Sequence, residues 1–152
     1  MLVKLLTLFV ISMVPVIELR GAIPVGVGMG IPFWLNYLVC VLGNVILVPI
    51  LIPCARTVLF WCAKLPKVGK YFQKIIDLGN RKIEKLGKYE LLGIFLFVAI
   101  PLPGTGAWTG SLIATLLQLN TFKAFIAITL GVMAAGLIMG VLSFGLFGLL
   151  GI

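Results

Sequence analysis

Glu18 and Arg20 stand two positions apart inside an apolar stretch, and residue types of this kind within a membrane-like sequence mark a site. A carboxylate can carry a proton. A guanidinium is a fixed cation that holds a phosphate or carboxylate through two parallel hydrogen bonds. The alternative is that the two charges simply neutralise one another to hold a turn. The pair opens E-L-R-G-A-I-P at 18–24, which also contains Gly21 and Pro24. A second polar break, P-L-P-G-T-G at 101–106, supplies Pro101, Pro103, Gly104, Thr105 and Gly106. Thr105 offers a hydroxyl, while Gly104 and Gly106 allow close backbone approach and positive φ. Return helices starting around Gly21-Ala22 and Thr105-Gly106 would each present unpaired N–H groups and a positive dipole end. Two such ends facing each other make an anion site before any side chain is added. Asn44 lies eleven residues into the next apolar run, placed to satisfy a broken carbonyl or to touch substrate.

The elements that must position these residues follow from composition. The chain is 62% hydrophobic and 11% charged, with a mean hydropathy of +1.26, too apolar for a soluble domain of 152 residues. The apolar arms at 5–17, 91–100 and 106–118 reach only about 15 to 20 Å as helices, roughly half of a hydrocarbon core of about 30 Å. A helix that enters to mid-depth, breaks and returns is a re-entrant hairpin. Irregular backbone at that depth persists where protein buries it or water reaches it. Two longer runs, 33–62 and 121–150, can cross, the first kinked by Pro49 and Pro53. A four-span arrangement with each break at the far surface requires longer arms.

The fold class is therefore all-α integral membrane, an inverted repeat in which each unit is a re-entrant helical hairpin followed by a transmembrane helix. One membrane domain, 1–152, divides into hairpin plus span at 1–62, a basic segment at 63–90, and a second hairpin plus span at 91–152. Ala-Ile-Pro recurs at 22–24 and 99–101, and Leu-Gly at 42–43 and 130–131.

Net charge is +8, and eight of the twelve Lys/Arg residues fall between Lys64 and Lys88. That run is amphipathic, suits a helix on the membrane surface, and orients 64–90 to the cytoplasm of a multi-pass cell (inner) membrane protein. Anionic membrane lipids account for its charge, so no nucleic-acid partner is implied. Three cysteines without C-x-x-C spacing, and no histidine, imply no metal, no cofactor and no disulfide framework. The lack of a base for Ser or Cys argues against an enzyme. The apolar N-terminal run imitates a signal peptide, but Glu18 and Arg20 occupy the place of a small, neutral cleavage region. Arg56 is expected to snorkel to headgroups, Trp34 to anchor at the interface and Trp108 to line a cavity. Gly136 and Gly140 form G-x-x-x-G, a candidate contact for a homodimer.

E-L-R-G-A-I-P together with P-L-P-G-T-G-A-W resembles the small multidrug export family and, more distantly, the DedA superfamily of lipid-handling membrane proteins. The resemblance spans nearly the whole chain and implies two inverted units, each a re-entrant hairpin on a transmembrane helix. Glu18, Arg20, Pro24, Pro101, Pro103, Gly104 and Gly106 match motif positions. The superfamily resemblance implies movement of lipid phosphates, such as a polyprenyl-phosphate carrier, possible with proton coupling. The expected function is a transporter or lipid translocase for an anionic substrate. The alternatives are a small-molecule or multidrug exporter, and a membrane-organising factor that transports nothing.

Overall fold

The computed structural model describes residues 1–64, 73–74, 77, 88–102 and 104–149. Pro103 and the surface helix expected over 64–90 lie largely or wholly outside the described residues. The described chain is helical, in the order α1 (Leu2–Met13), α2 (Glu18–Gly28), α3 (Phe33–Val45), α4 (Val48–Ala63), α5 (Lys88–Ala99), α6 (Ala107–Leu116) and α7 (Thr121–Leu149).

Proline sets the breaks. Val14 is extended at φ −69° and ψ 129°, as a residue before proline must be, and this ends α1 at Pro15. The first break is therefore V-P-V-I at 14–17, and E-L-R-G-A-I-P is helical. The helix after the first break begins at Glu18, three residues before the expected start at Gly21-Ala22. Pro24 removes the N–H that would bond to the carbonyl of Arg20, yet α2 runs through it. The second break falls where expected, between Ala99 and Ala107. Two helices are long and apolar enough to span a membrane: Phe33–Trp61 and Thr121–Leu149, each 29 residues with mean hydropathy 2.5 and 2.4. The first is interrupted at Ile46-Leu47, where the Pro49 ring crowds the carbonyl one turn back, and this divides it into α3 and α4.

The same series of elements occurs twice. Helices α1 and α5 both have 12 residues, and their ends lie 86 positions apart. The long helices Phe33–Trp61 and Thr121–Leu149 start and finish 88 positions apart. Four described residues have positive φ, and they fall into the same register: Glu18 (49°) with Gly104 (81°), and Gly30 (71°) with Gln118 (52°). Gly30 and Gln118 close α2 and α6 in the same way, with Ile31 N–H donating to the Gly26 carbonyl and Leu119 N–H to that of Ala114, both at 3.0 Å. The recurring Leu-Gly matches this register as well. The bare face of Gly43 receives Ser12 and the Phe9 carbonyl of α1, and that of Gly131 receives Val98 and the Phe95 carbonyl of α5. The recurring Ala-Ile-Pro does not match, since one copy lies inside α2 and the other ends α5.

Helix α7 packs against α2, α3, α4, α5 and α6, with Ile128, Val132 and Ala135 fully buried. Gly136 and Gly140 serve this internal packing. A Cβ at Gly136 would come within 2.9 Å of the Tyr37 ring, and one at Gly140 within 2.7 Å of the Phe33 ring. Tyr37 also donates its hydroxyl to the Met133 carbonyl at 3.2 Å. The G-x-x-x-G face is thus filled by α3 of the same chain, which corrects the expectation that it joins two copies.

Candidate functional site

The two breaks meet through the side chains of one short stretch. Glu18, at the first turn of α2, is 5% exposed and has its backbone in the left-handed region that a non-glycine residue seldom adopts. Its Oε1 accepts the backbone N–H of Trp108 at 3.2 Å, and its Oε2 accepts from Arg20 Nη1 at 2.8 Å. Trp108 is the second residue of α6, whose own N-cap is Gly106 and brings no side-chain oxygen. The carboxylate of one half therefore caps the helix of the other, where unpaired N–H groups and the dipole favour negative charge. A Cβ at Gly106 would overlap this carboxylate. A side chain there would have to displace the Glu18 carboxylate.

Arg20 works in the opposite direction. Its Nη2 donates to the Val98 carbonyl at 3.0 Å, the Ile100 carbonyl at 3.3 Å and Thr105 Oγ1 at 2.9 Å. These carbonyls lie at the end of α5, where the helix has no N–H left to offer them. Thr105 passes its own proton on to the Ile100 and Leu102 carbonyls, at 2.7 and 2.9 Å. Trp108 returns the favour, its indole Nε1–H donating to the Met13 carbonyl at the end of α1 at 3.2 Å. Each half thus satisfies the broken backbone of the other. Arg20 Nε is buried and has no partner among the described residues, so the guanidinium keeps one unused donor.

A cavity of about 540 Å³ opens beside this pair, lined by Pro15, Glu18, Arg20, Gly21, Pro101 and Gly104, among others. Met139 of α7 closes one wall, a position that sequence reasoning missed. Of the predicted residues, Glu18, Arg20, Gly21, Pro101, Gly104, Thr105 and Gly106 are brought together. Pro103 lies outside the described residues. Pro24 lies further along α2, away from the cavity lining. Asn44 is buried and donates to the Ser12 carbonyl at the end of α1 at 2.8 Å and to the Cys40 carbonyl at 3.3 Å, while its Oδ1 has no partner among the described residues. Trp108 also lines a second, apolar cavity of about 390 Å³ with Leu51, Val58, Ser111 and Leu112. Arg56 does not simply reach outward; it donates to the Leu119 carbonyl at 2.9 Å. The sequence reading placed Trp108 at a cavity, which it lines, but missed its backbone N–H as a partner of Glu18 and the Val98 and Ile100 carbonyls as partners of Arg20. Trp108 was within reach, since a residue two past the glycine of a polar break sits in the first turn of the helix that follows.

The groups gathered here, a helix N-terminus, a guanidinium and a hydroxyl, are of the kinds that bind an anion, and in this structure the first two hold the Glu18 carboxylate. No curated protein and no solved structure matches the chain. A family model described as "Putative small multi-drug export protein" matches residues 18–138, from Glu18 through the second break and most of α7. With two long apolar helices and a match over most of its length, the chain is a membrane protein and belongs to the small multi-drug export family.

Proposed function

We propose that the protein is a membrane transporter for an amphiphile with an anionic head group, moved through a site between two re-entrant loops. The observation that carries this reading is the seat of Glu18. The first turn of α6 and Arg20 together hold a carboxylate, so they have the charge and geometry to hold a substrate carboxylate or phosphate in its place. Glu18 then acts as an internal competitor. Protonation, or displacement by a stronger anion, frees the seat, and this ties substrate entry to a proton. The apolar cavity on the other side of Trp108 suits an alkyl or isoprenoid tail. A lipid phosphate and a small amphiphilic anion share this chemistry.

Short 12-residue arms support a mid-depth break, since each reaches only about 18 Å. The register shared by the halves, with Arg20 and Trp108 each bonding to the other half, supports an inverted repeat about an axis through the site. In this reading the protein is not an enzyme, residues 64–90 face the cytoplasm of the inner membrane, and a second copy shields the pathway from lipid. The test is transport in liposomes holding purified protein. A polyprenyl phosphate, a fluorescent amphiphilic carboxylate and a cationic dye are assayed side by side. Movement of the anions, weakened by excess of either anion, supports the reading; movement of the cation alone overturns it.

A further inference from the structure

Glu90 lies in the second residue pair of α5, far from the site above in role and in sequence. It is 8% exposed, and its Oε1 has no hydrogen-bond partner among the described residues. It lines a cleft of about 290 Å³ between α5 and α6, with Tyr89, Gly93, Phe97, Ile113 and Leu117. The cleft is open rather than filled, because a Cβ at Gly93 would meet nothing within 4 Å. A carboxylate buried among apolar groups is costly unless a positive charge joins it. The first half of the chain shows what such a charge does. In the shared register Lys4 corresponds to Glu90 and Met29 to Leu117. Lys4 Nζ donates to the Met29 carbonyl at 2.7 Å and bridges α1 to the end of α2. At the same place in the second half the charge is reversed, and among the described residues no cation pairs with it.

We propose that the cleft between α5 and α6 binds an organic monocation with an aromatic or apolar body, paired to the Glu90 carboxylate. The lining includes the aromatic residues Tyr89 and Phe97, a residue type that attracts cations, while Ile113 and Leu117 can take the apolar part. A metal ion is a poor fit, because hard cations need several oxygen ligands and this lining has a single carboxylate. The comparison with Lys4 rests on the repeat proposed above; the open cleft and the unpartnered oxygen do not.

The test is ethidium binding to purified wild-type protein in mild detergent, followed by the rise of its fluorescence on leaving water. Glu90→Gln should weaken binding about tenfold or more, the loss expected for one charge-assisted pair. Uncharged phenanthridine should bind the two proteins alike. Gly93→Leu fills the cleft while keeping the carboxylate, and it should also abolish ethidium binding, which covers the case of a Glu90 variant that does not fold. The double variant Glu18→Gln with Arg20→Gln, expected to stop anion transport while the fold holds, should leave ethidium binding unchanged, so the two claims fail separately. Ethidium binding equally tight in Glu90→Gln overturns the proposal, whether the wild type binds elsewhere or a lysine of the preceding basic stretch neutralises the carboxylate. No binding by the wild type also overturns it.

Discussion

Gly106 and the Glu18 carboxylate occupy adjoining space so closely that no side chain can be added at Gly106 while Glu18 stays in place. The contact joins residues 88 positions apart and holds the two breaks together. Gly106→Ala should therefore expel the carboxylate from the start of α6 and leave Arg20 half paired. Both charges remain, so the cost is that of the Trp108 hydrogen bond and a displaced pair, about 1 to 3 kcal/mol. Thermal unfolding in detergent should show a large fall in midpoint, with Gly145→Ala, where a Cβ meets nothing, showing no comparable loss. Equal midpoints for the two variants would contradict the contact.

Arg20→Lys separates charge from shape. An ammonium can neutralise Glu18, but it cannot also reach the Val98 carbonyl and Thr105 with a planar fork. Folding should survive with a moderate loss of stability, and the apparent affinity for an anionic head group should fall several-fold. Full activity in the lysine variant would show that only charge matters.

Asn44 tests the boundary of the site. Its amide holds the Ser12 carbonyl, so Asn44→Ala should cost about 1 to 3 kcal/mol of stability, the range for an orphaned buried polar group. Substrate preference should be unchanged, as measured by competition between two anions. A changed preference would return Asn44 to the substrate pathway.

Gly136→Leu tests the α3–α7 contact. A large side chain there meets Tyr37 and Leu19 of the same chain, so the monomer itself should lose stability. Mass measurement and thermal unfolding on the same sample distinguish the outcomes. A stable monomer that has lost only its assembly would place this face between copies.

Much of the architecture was legible because it rests on length and hydropathy. The spans, the short arms and the second break needed only a count of apolar residues between Gly and Pro. The first break was misread by a few residues. Polar letters drew attention to 18–24, whereas the backbone is governed by Pro15, whose ring forces Val14 out of the helical region. Leu-Gly was an informative repeat because a glycine facing a neighbouring backbone is demanded by packing; Ala-Ile-Pro shared letters without sharing a place. Glu18 and Arg20 were visible as charges, but their partners were not. The Trp108 N–H and the Val98 and Ile100 carbonyls are backbone groups, which any residue type supplies, and only the fold brings them across some 80 to 90 positions. Glu90 fell at the end of the basic, amphipathic segment 64–90, and only its burial sets it apart.

The central claim is that Glu18 and Arg20 form a working anion seat and are more than a brace between the breaks. Anion flux through the double variant Glu18→Gln with Arg20→Gln, in liposomes and with folding verified by elution profile and thermal midpoint, tests it most directly. Removing both charges avoids leaving either one buried alone, so the fold should hold better than in the single variants. The account predicts a folded protein whose anion flux falls to the level of empty liposomes. Wild-type flux in that double variant would contradict it.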